Sequence, residues 1–300
     1  MIISGCSNLS YTPHTLEQLI NVLGGRTGGV NAVPSQLWKL GQIEVLHLGS
    51  LKNMNYLPPL IGKLQRLRHL TLCSCRSLEY LPNEIGSLFL LEQLDLSHTA
   101  IRKLPETMGQ LSSLIRLCLR GCSRLLCVPS SVSVLPNLEF LEMAECWDFV
   151  MLPGEFGKVN SMPKLRVLDL SGCSIKSLPC FAKGSFPMLQ NLYLATCQNL
   201  SSLPVTLGSL TALERLDLGG CKTLASLEGI GLVDLKQLQW FNLRNCLSLT
   251  KLPVMELLSL KHLKFLDVSG CTMLSPFPEL VLQCAREQRF TLVRWGTVWH

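Results

Sequence analysis

Apolar residues recur along this chain in a fixed frame. In the stretch Leu165–Pro179, leucines stand at positions 1, 4 and 6, a cysteine at 9, an apolar residue at 11 and a Leu-Pro pair from 14. Units with this frame begin at Ile43, Leu67, Leu91, Leu114, Leu138, Leu165, Leu189, Leu213, Leu238 and Leu263, spaced 23 to 27 residues apart. A repeat of that length marks a solenoid. One unit cannot offset the entropy of its own ordering, so each layer must bury its neighbours' faces. Period 2 sends Leu168 and Leu170 inward and Val167, Asp169 and Ser171 outward, which predicts a short strand over residues 2 to 8 of each unit. Proline after the buried leucine blocks the strand and starts a helical or 3₁₀ turn. The return segment carries an Ile-Gly-type turn at Ile61-Gly62, Ile85-Gly86, Met108-Gly109, Phe156-Gly157 and Leu207-Gly208.

This organisation divides the chain into residues 1–42, 43–278 and 279–300. The middle segment holds the ten units. The first reads as partial and degenerate repeats: Leu16-Glu17-Gln18-Leu19 opens a weak unit ending in Val33-Pro34, and Ile3-Ser4-Gly5-Cys6 matches the end of a strand. A chain that starts inside a repeat is expected to be the C-terminal part of a longer protein. The last segment reads as a C-terminal cap. Phe290-Thr291-Leu292 would add a final strand, with Trp295, Val298 and Trp299 closing the apolar end or offering a docking surface.

Composition fits a stack of similar layers. The chain is 47% apolar but only 6% aromatic, so one residue type, leucine, fills the core repeatedly. The net charge of +6 comes without a tight basic cluster interleaved with aromatics, which excludes nucleic acid as the expected partner. No run approaches the ~18 apolar residues of a membrane span, and the N-terminus shows no signal peptide, so no membrane insertion is expected.

Eight of the fourteen cysteines, Cys75, Cys122, Cys146, Cys173, Cys197, Cys221, Cys246 and Cys271, share position 9. Thr99 and Leu51 take that place in two units. Adjacent strands would set these cysteines about 5 Å apart, within disulfide range. A ladder of thiols at that spacing predicts a reducing, cytoplasmic setting with structural free cysteines. Its linear arrangement without CxxC pairs argues against zinc.

The outward positions form the face that can carry specificity. Position 5 reads His47, Thr71, Asp95, Cys118, Glu142, Asp169, Tyr193, Asp217, Asn242 and Asp267. The acids are either a regular feature of the frame or an acidic stripe for a basic partner. Arg68, Arg116, Arg120, Arg166, Arg215 and Arg244 interleave with them, so the wall has mixed charge. Bulk rises towards the C-terminus with Phe140, Tyr193, Trp240 and Phe265. The candidate protein-binding patch is therefore Phe140, Glu142, Arg166, Asp169, Tyr193, Arg215, Asp217, Trp240, Asn242, Arg244, Phe265 and Asp267. Basic residues after the cysteine, including Arg76, Arg102, Lys103, Arg124, Lys176, Lys222 and Lys251, line one edge as a solvated flank or a surface for an acidic neighbouring domain.

Catalytic signals are weak. His47, His69 and His98 lie on adjacent strands near Cys73 and Asp95, a conceivable metal site set against ordinary surface histidines. Gly24-Gly25-Arg26-Thr27-Gly28-Gly29 lacks the Lys-Ser/Thr of a phosphate-binding loop. No nucleophile–base set or cofactor fingerprint stands out, so the chain is read as no enzyme and as needing no cofactor.

The frame Leu-x-x-Leu-x-Leu-x-x-Cys-x-x-Leu-x-x-Leu-Pro, fullest in Leu67–Pro82 and Leu189–Pro204, resembles the leucine-rich repeat region of plant intracellular nucleotide-binding immune receptors. The resemblance implies an α/β leucine-rich repeat solenoid, a horseshoe with a parallel β-sheet on its concave face. It implies a protein-recognition module of a plant defence receptor. The partner would be a pathogen effector, a guarded host protein or a nucleotide-binding domain of the same longer chain. The alternative is a stand-alone leucine-rich repeat scaffold or adaptor in intracellular signalling, although such proteins favour Asn where this chain has Cys. A receptor-kinase ectodomain is disfavoured by the missing signal and the thiol ladder.

Overall fold

The computed structural model describes residues 3–4, 41–51, 53–274, 277–287, 289–294 and 297–299. The weak unit at Leu16, the glycine-rich loop at 24–29 and the side chains of Trp295, Val298 and Trp299 lie outside the described residues. A sheet of thirteen strands runs in strict chain order. They are β1 (Ile3–Ser4), β2 (Val45–His47), β3 (His69–Thr71), β4 (Gln93–Asp95), β5 (Arg116–Cys118), β6 (Phe140–Glu142) and β7 (Val167–Asp169). They continue as β8 (Asn191–Tyr193), β9 (Arg215–Asp217), β10 (Trp240–Asn242), β11 (Phe265–Asp267), β12 (Thr291–Arg294) and β13 (Thr297–Trp299). Strands β2 to β12 pair in parallel, each in the register set by the frame, so Leu141, Leu168, Leu192 and Leu216 stand side by side. The position-4 and position-6 residues, such as Leu168 and Leu170, are buried, while Val167 before them and Asp169 between them are partly exposed. The final strand expected at Phe290–Leu292 is present as β12.

The ends differ from the body. β12 pairs antiparallel with β13, and β1 pairs antiparallel with β2 through Ile3↔Leu46 and Ser4↔Val45. Ile3-Ser4 therefore does not continue the frame, despite its likeness to Leu170-Ser171. Ile3-Ser4 lacks the Leu-x-x-Leu spacing that precedes position 6 in the later units and sets their parallel register.

The strands are three residues long, shorter than the seven predicted, yet the hydrogen bonding between layers covers all seven. In the Leu165 unit, Arg166 and Val167 donate to Glu139 O at 2.9 and 3.0 Å, Leu170 to Tyr193 O at 2.8 Å and Gly172 to Ala195 O at 2.7 Å. Regular strand geometry stops earlier because position 8 turns left-handed in every unit. Ser50, Ser74, His98, Glu145, Thr196 and Asn245 have φ between 56° and 64°, and Gly121, Gly172, Gly220 and Gly270 between 70° and 77°. That turn swings position 9 back under the sheet.

At position 9 the cysteine is more than a small apolar filler. Each thiol donates to the backbone carbonyl of position 6 in the preceding layer: Cys197 to Leu170 O at 3.1 Å, Cys221 to Leu194 O at 3.1 Å, Cys246 to Leu218 O at 3.2 Å and Cys271 to Leu243 O at 2.9 Å. Those carbonyls also accept the position-9 N–H of their own layer, as Leu170 O does from Cys173 at 3.1 Å. Two donors thus satisfy both lone pairs of an oxygen that water cannot reach. Where threonine replaces cysteine, Thr99 donates instead to Leu96 O of its own layer at 2.8 Å, and Cys122 shares that acceptor at 3.1 Å. All thirteen cysteines of the described residues are unpaired.

After the turn the chain passes the buried leucine and its proline. Pro58, Pro82, Pro105, Pro129 and Pro153 each precede a 3₁₀ turn, at Pro59–Lys63, Asn83–Ser87, Glu106–Gln110, Ser130–Val134 and Gly154–Gly157. Glycine in the similar turn at Leu207–Ser209 allows close stacking: a Cβ on Gly208 would lie 2.3 Å from Gly231 O. Towards the C-terminus the return segments become α-helices, Val254–Ser259 and Glu279–Arg286. The second helix buries Val281, Leu282, Cys284 and Ala285 against the last layers, and Arg294 lies 4.2 Å over the Phe277 ring.

Two predictions follow from position 8 and position 9. Thr196 is β-branched and held at φ 59°, a conformation costing an L-residue about 1–2 kcal/mol. Thr196→Gly is expected to raise the unfolding free energy by about 1 kcal/mol, and Gly172→Thr to lower it by at least that, both read from denaturant midpoints. The second concerns pH. Burial pushes the thiols of Cys75, Cys122, Cys197 and Cys221 up, Cys221 to about 12. Cys146 and Cys246 are pushed up by hydrogen bonding with Cys173 and Cys271 and then by burial. A thiol kept neutral in the fold holds its proton to higher pH than in the unfolded chain. Its contribution is complete below the unfolded pKa of about 8.5 and is lost as pH rises above it, at about 1.4 kcal/mol per pH unit per thiol. Under reducing conditions the thermal midpoint is expected to hold up to about pH 8 and to fall steeply above about pH 9.

Candidate functional site

The sheet presents three outward rows, at positions 3, 5 and 7. Position 3 runs Arg116, Phe140, Val167, Asn191, Arg215, Trp240 and Phe265 across β5 to β11. Position 5 runs Cys118, Glu142, Asp169, Tyr193, Asp217, Asn242 and Asp267 over the same strands. Trp240 and Phe265 face each other in register and stack, with ring centroids 5.6 Å apart and planes 6° apart. Both are half-buried, whereas Phe241 between them in sequence is fully buried. Arg215, on the strand beside Trp240, and Arg244, at position 7 of the Trp240 unit, are exposed.

The predicted patch does not form one cluster. Phe140 sits four strands from Trp240 in the same row, about 19 Å away at sheet spacing. Its own partner is Arg116, whose guanidinium lies 4.4 Å from the ring and reaches Glu142 at 3.1 Å. Arg166 stands at position 2, on the rim of the sheet, and pairs with Glu139 at 3.3 Å. Tyr193 lies between Asp169 and Asp217 in the position-5 row.

The acids of that row hold the turn. Oδ1 of Asp95, Asp169, Asp217 and Asp267 accepts the backbone N–H two residues on, at 2.8–3.0 Å. Asn242 does the same at 2.9 Å, and its side-chain amide donates to Asp217 at 2.8 Å. These bonds fix the chain just before the left-handed residue, so the acids belong to the frame first. The Asp217 carboxyl is pushed up by burial, more than its hydrogen bonds to Gly219 and Asn242 lower it. The sequence signal was an Asp or Asn at the same place, two residues before Ser, Gly or Arg. What the frame leaves unused on this face is the Trp240–Phe265 stack with Arg215 and Arg244.

Towards the N-terminal half, a hollow of about 340 Å³ on the same face is bordered by His47, His69, Arg116, Cys118 and Glu142. Burial pushes the Cys118 thiol up to about 11, so it is no nucleophile near neutral pH. Among the described residues no three His, Cys, Asp or Glu side chains come together as metal ligands. No helix of the described residues is long and apolar enough to cross a membrane.

Sequence reasoning missed the exposed apolar residues of the flank beyond the cysteines. Tyr80 and Trp147 are 54% and 62% exposed. The signal was available: Trp147 occupies a place filled by Arg76, Ser123, Ser174, Gln198 and Lys222 in other units.

Residues 27–152 match the family model of a leucine-rich repeat region, and residues 164–183 that of a single leucine-rich repeat. Both are repeat models, and neither is an enzyme family. With eleven parallel strands alternating with 3₁₀ turns, the fold is a leucine-rich repeat solenoid. No protein of curated function matches the chain. Among solved structures the chain is similar to a leucine-rich repeat protein of Leptospira interrogans, at 24% identity and TM-score 0.57 over 94% of this chain and 81% of that one. It is similar to the leucine-rich repeat domain of the type III effector XopL, at 22% identity and TM-score 0.60 over 97% and 86%. It is also similar to a TDR receptor, at 20% identity and TM-score 0.59 over 85% of this chain and 43% of that one. At these identities the likeness is one of fold.

Proposed function

We propose that the outward face of the sheet is the protein-recognition surface of a plant defence receptor acting in the cytoplasm, anchored on the Trp240–Phe265 stack. The stack carries the reading. Two large aromatic rings are held rigid by register and stacking, half-exposed, and flanked by arginines with no role in the frame. Rigid aromatics beside arginine are the usual anchors of protein interfaces. The defence role rests on the Cys-type frame, in which the thiol supplies the carbonyl bond. The partner is a pathogen effector, a guarded host protein or a nucleotide-binding domain in a longer chain that includes this one.

The test is a two-hybrid panel of pathogen effectors and host defence proteins, with hits measured by calorimetry. The Trp240→Ala/Phe265→Ala variant is expected to weaken binding by at least about 30-fold while its thermal midpoint falls by no more than about 5 °C. Unchanged affinity, or a variant that no longer folds, would overturn the reading.

A further inference from the structure

Two layers of the solenoid, the Leu91 and Leu165 units, are one residue shorter than the others between position 9 and the next core Leu, Ile, Met or Phe. In the Leu67 unit, Arg76 and Ser77 lead from Cys75 to the next buried residue, Leu78; in the Leu91 unit, Ala100 alone separates Thr99 from Ile101. The flank of that layer is set back while the layers on either side keep full-length turns. Beside this layer lies a hollow of about 410 Å³, on the flank beyond position 8.

Its walls come from four successive layers. Arg76 closes one side, His98 and Ala100 form the recessed layer, and Arg124, Glu145 and Trp147 close the other side. Gly121 makes room for this arrangement: at φ +70°, a Cβ there would lie 2.2 Å from His98 Nδ1. The Thr99 hydroxyl is already engaged with Leu96 O at 2.8 Å and with the Cys122 sulfur at 3.3 Å, so the polar groups free to meet a ligand are at the rim.

Charge selects the ligand. Arg76 has no ion pair among the described residues. Arg124 shares Glu79 with Arg102, at 3.5 and 3.6 Å, so a single carboxylate faces two guanidiniums. Glu145, the acid in the lining, is held by Arg120 at 3.6 Å. The hollow is left with cationic donors, a planar aromatic ring 62% exposed, and a floor of His98, Thr99 and Ala100 with no carboxylate in it.

We propose that this hollow receives a carboxylate- or phosphate-bearing side chain from an extended acidic segment of a partner protein. Arg76 and Arg124 donate charge-assisted hydrogen bonds to the anion, and Trp147 covers the apolar residue that follows it in the segment. The site is on the flank and stands apart from the Trp240–Phe265 stack, so neither reading depends on the other.

The experiment uses the whole chain labelled with 5-fluorotryptophan, with the Trp147 ¹⁹F resonance assigned by Trp147→Phe. Four probes are titrated: the blocked peptide Gly-Glu-Leu-Gly, its phosphoserine and glutamine counterparts, and inorganic phosphate. The glutamate or phosphoserine peptide is expected to shift the Trp147 resonance and to bind at least about tenfold tighter than the glutamine peptide. Arg76→Ala/Arg124→Ala should abolish that difference, and Trp240→Ala/Phe265→Ala should leave it intact. Because Arg124 pairs with Glu79, Arg76→Ala alone is measured as well and should remove part of the difference with an unchanged thermal midpoint. Equal binding of the glutamine peptide, inorganic phosphate binding as tightly as the peptides, no shift with any probe, or full binding by both arginine variants would overturn the proposal.

Discussion

Every layer of this protein depends on its neighbours to bury the leucines at positions 1, 4 and 6. A three-residue strand has too little surface to hold its own conformation, and the parallel register places each inward leucine between two others. That dependence explains the composition, in which one aliphatic residue fills a core that larger, varied side chains fill in a compact domain. It also explains the ends, where the frame stops and antiparallel pairing through β1 and β13 takes the edge strands.

A second constraint follows from the first. Stacked layers leave a column of backbone carbonyls at the strand exit, away from water. The frame meets this with a left-handed residue at position 8 and a thiol at position 9 that reaches back one layer. A disulfide between neighbouring layers would remove two of these donors at once, so the thiol form is the one that serves the structure. Asp and Asn at position 5 prepare the same turn from the other side. Much of what looks like a charged recognition surface is thereby committed to the backbone, and specificity is left to the residues that the turn does not use.

The fold was largely legible in the leucine spacing, because period and inward alternation directly determine strand position, register and the site of each proline turn. The left-handed column was less legible, although Gly-Cys at 121–122, 172–173, 220–221 and 270–271 signalled it, since Ser, His, Glu, Thr and Asn fill the same place elsewhere. The surface was only partly legible. Trp240 and Phe265 were read as outward-facing aromatic bulk beside arginines, and their register on adjacent strands stacks the two rings. Phe140 and Arg166 were grouped with them as outward-facing residues of the same wall, whereas the register separates the first by four strands and places the second on the rim. The flank hollow is lined by side chains of four successive layers, a juxtaposition that a residue-by-residue reading of side-chain chemistry passes over.

The interchangeability of layers is the central physical claim, and deleting one whole layer tests it most directly. Removal of residues 213–237, a complete unit, should leave a folded solenoid in which Trp240 follows directly on the Asn191 strand, with a lowered thermal midpoint and amide exchange protection retained in the remaining strands. A chain that loses protection throughout after that deletion, as fully as one lacking only half a unit, would contradict it.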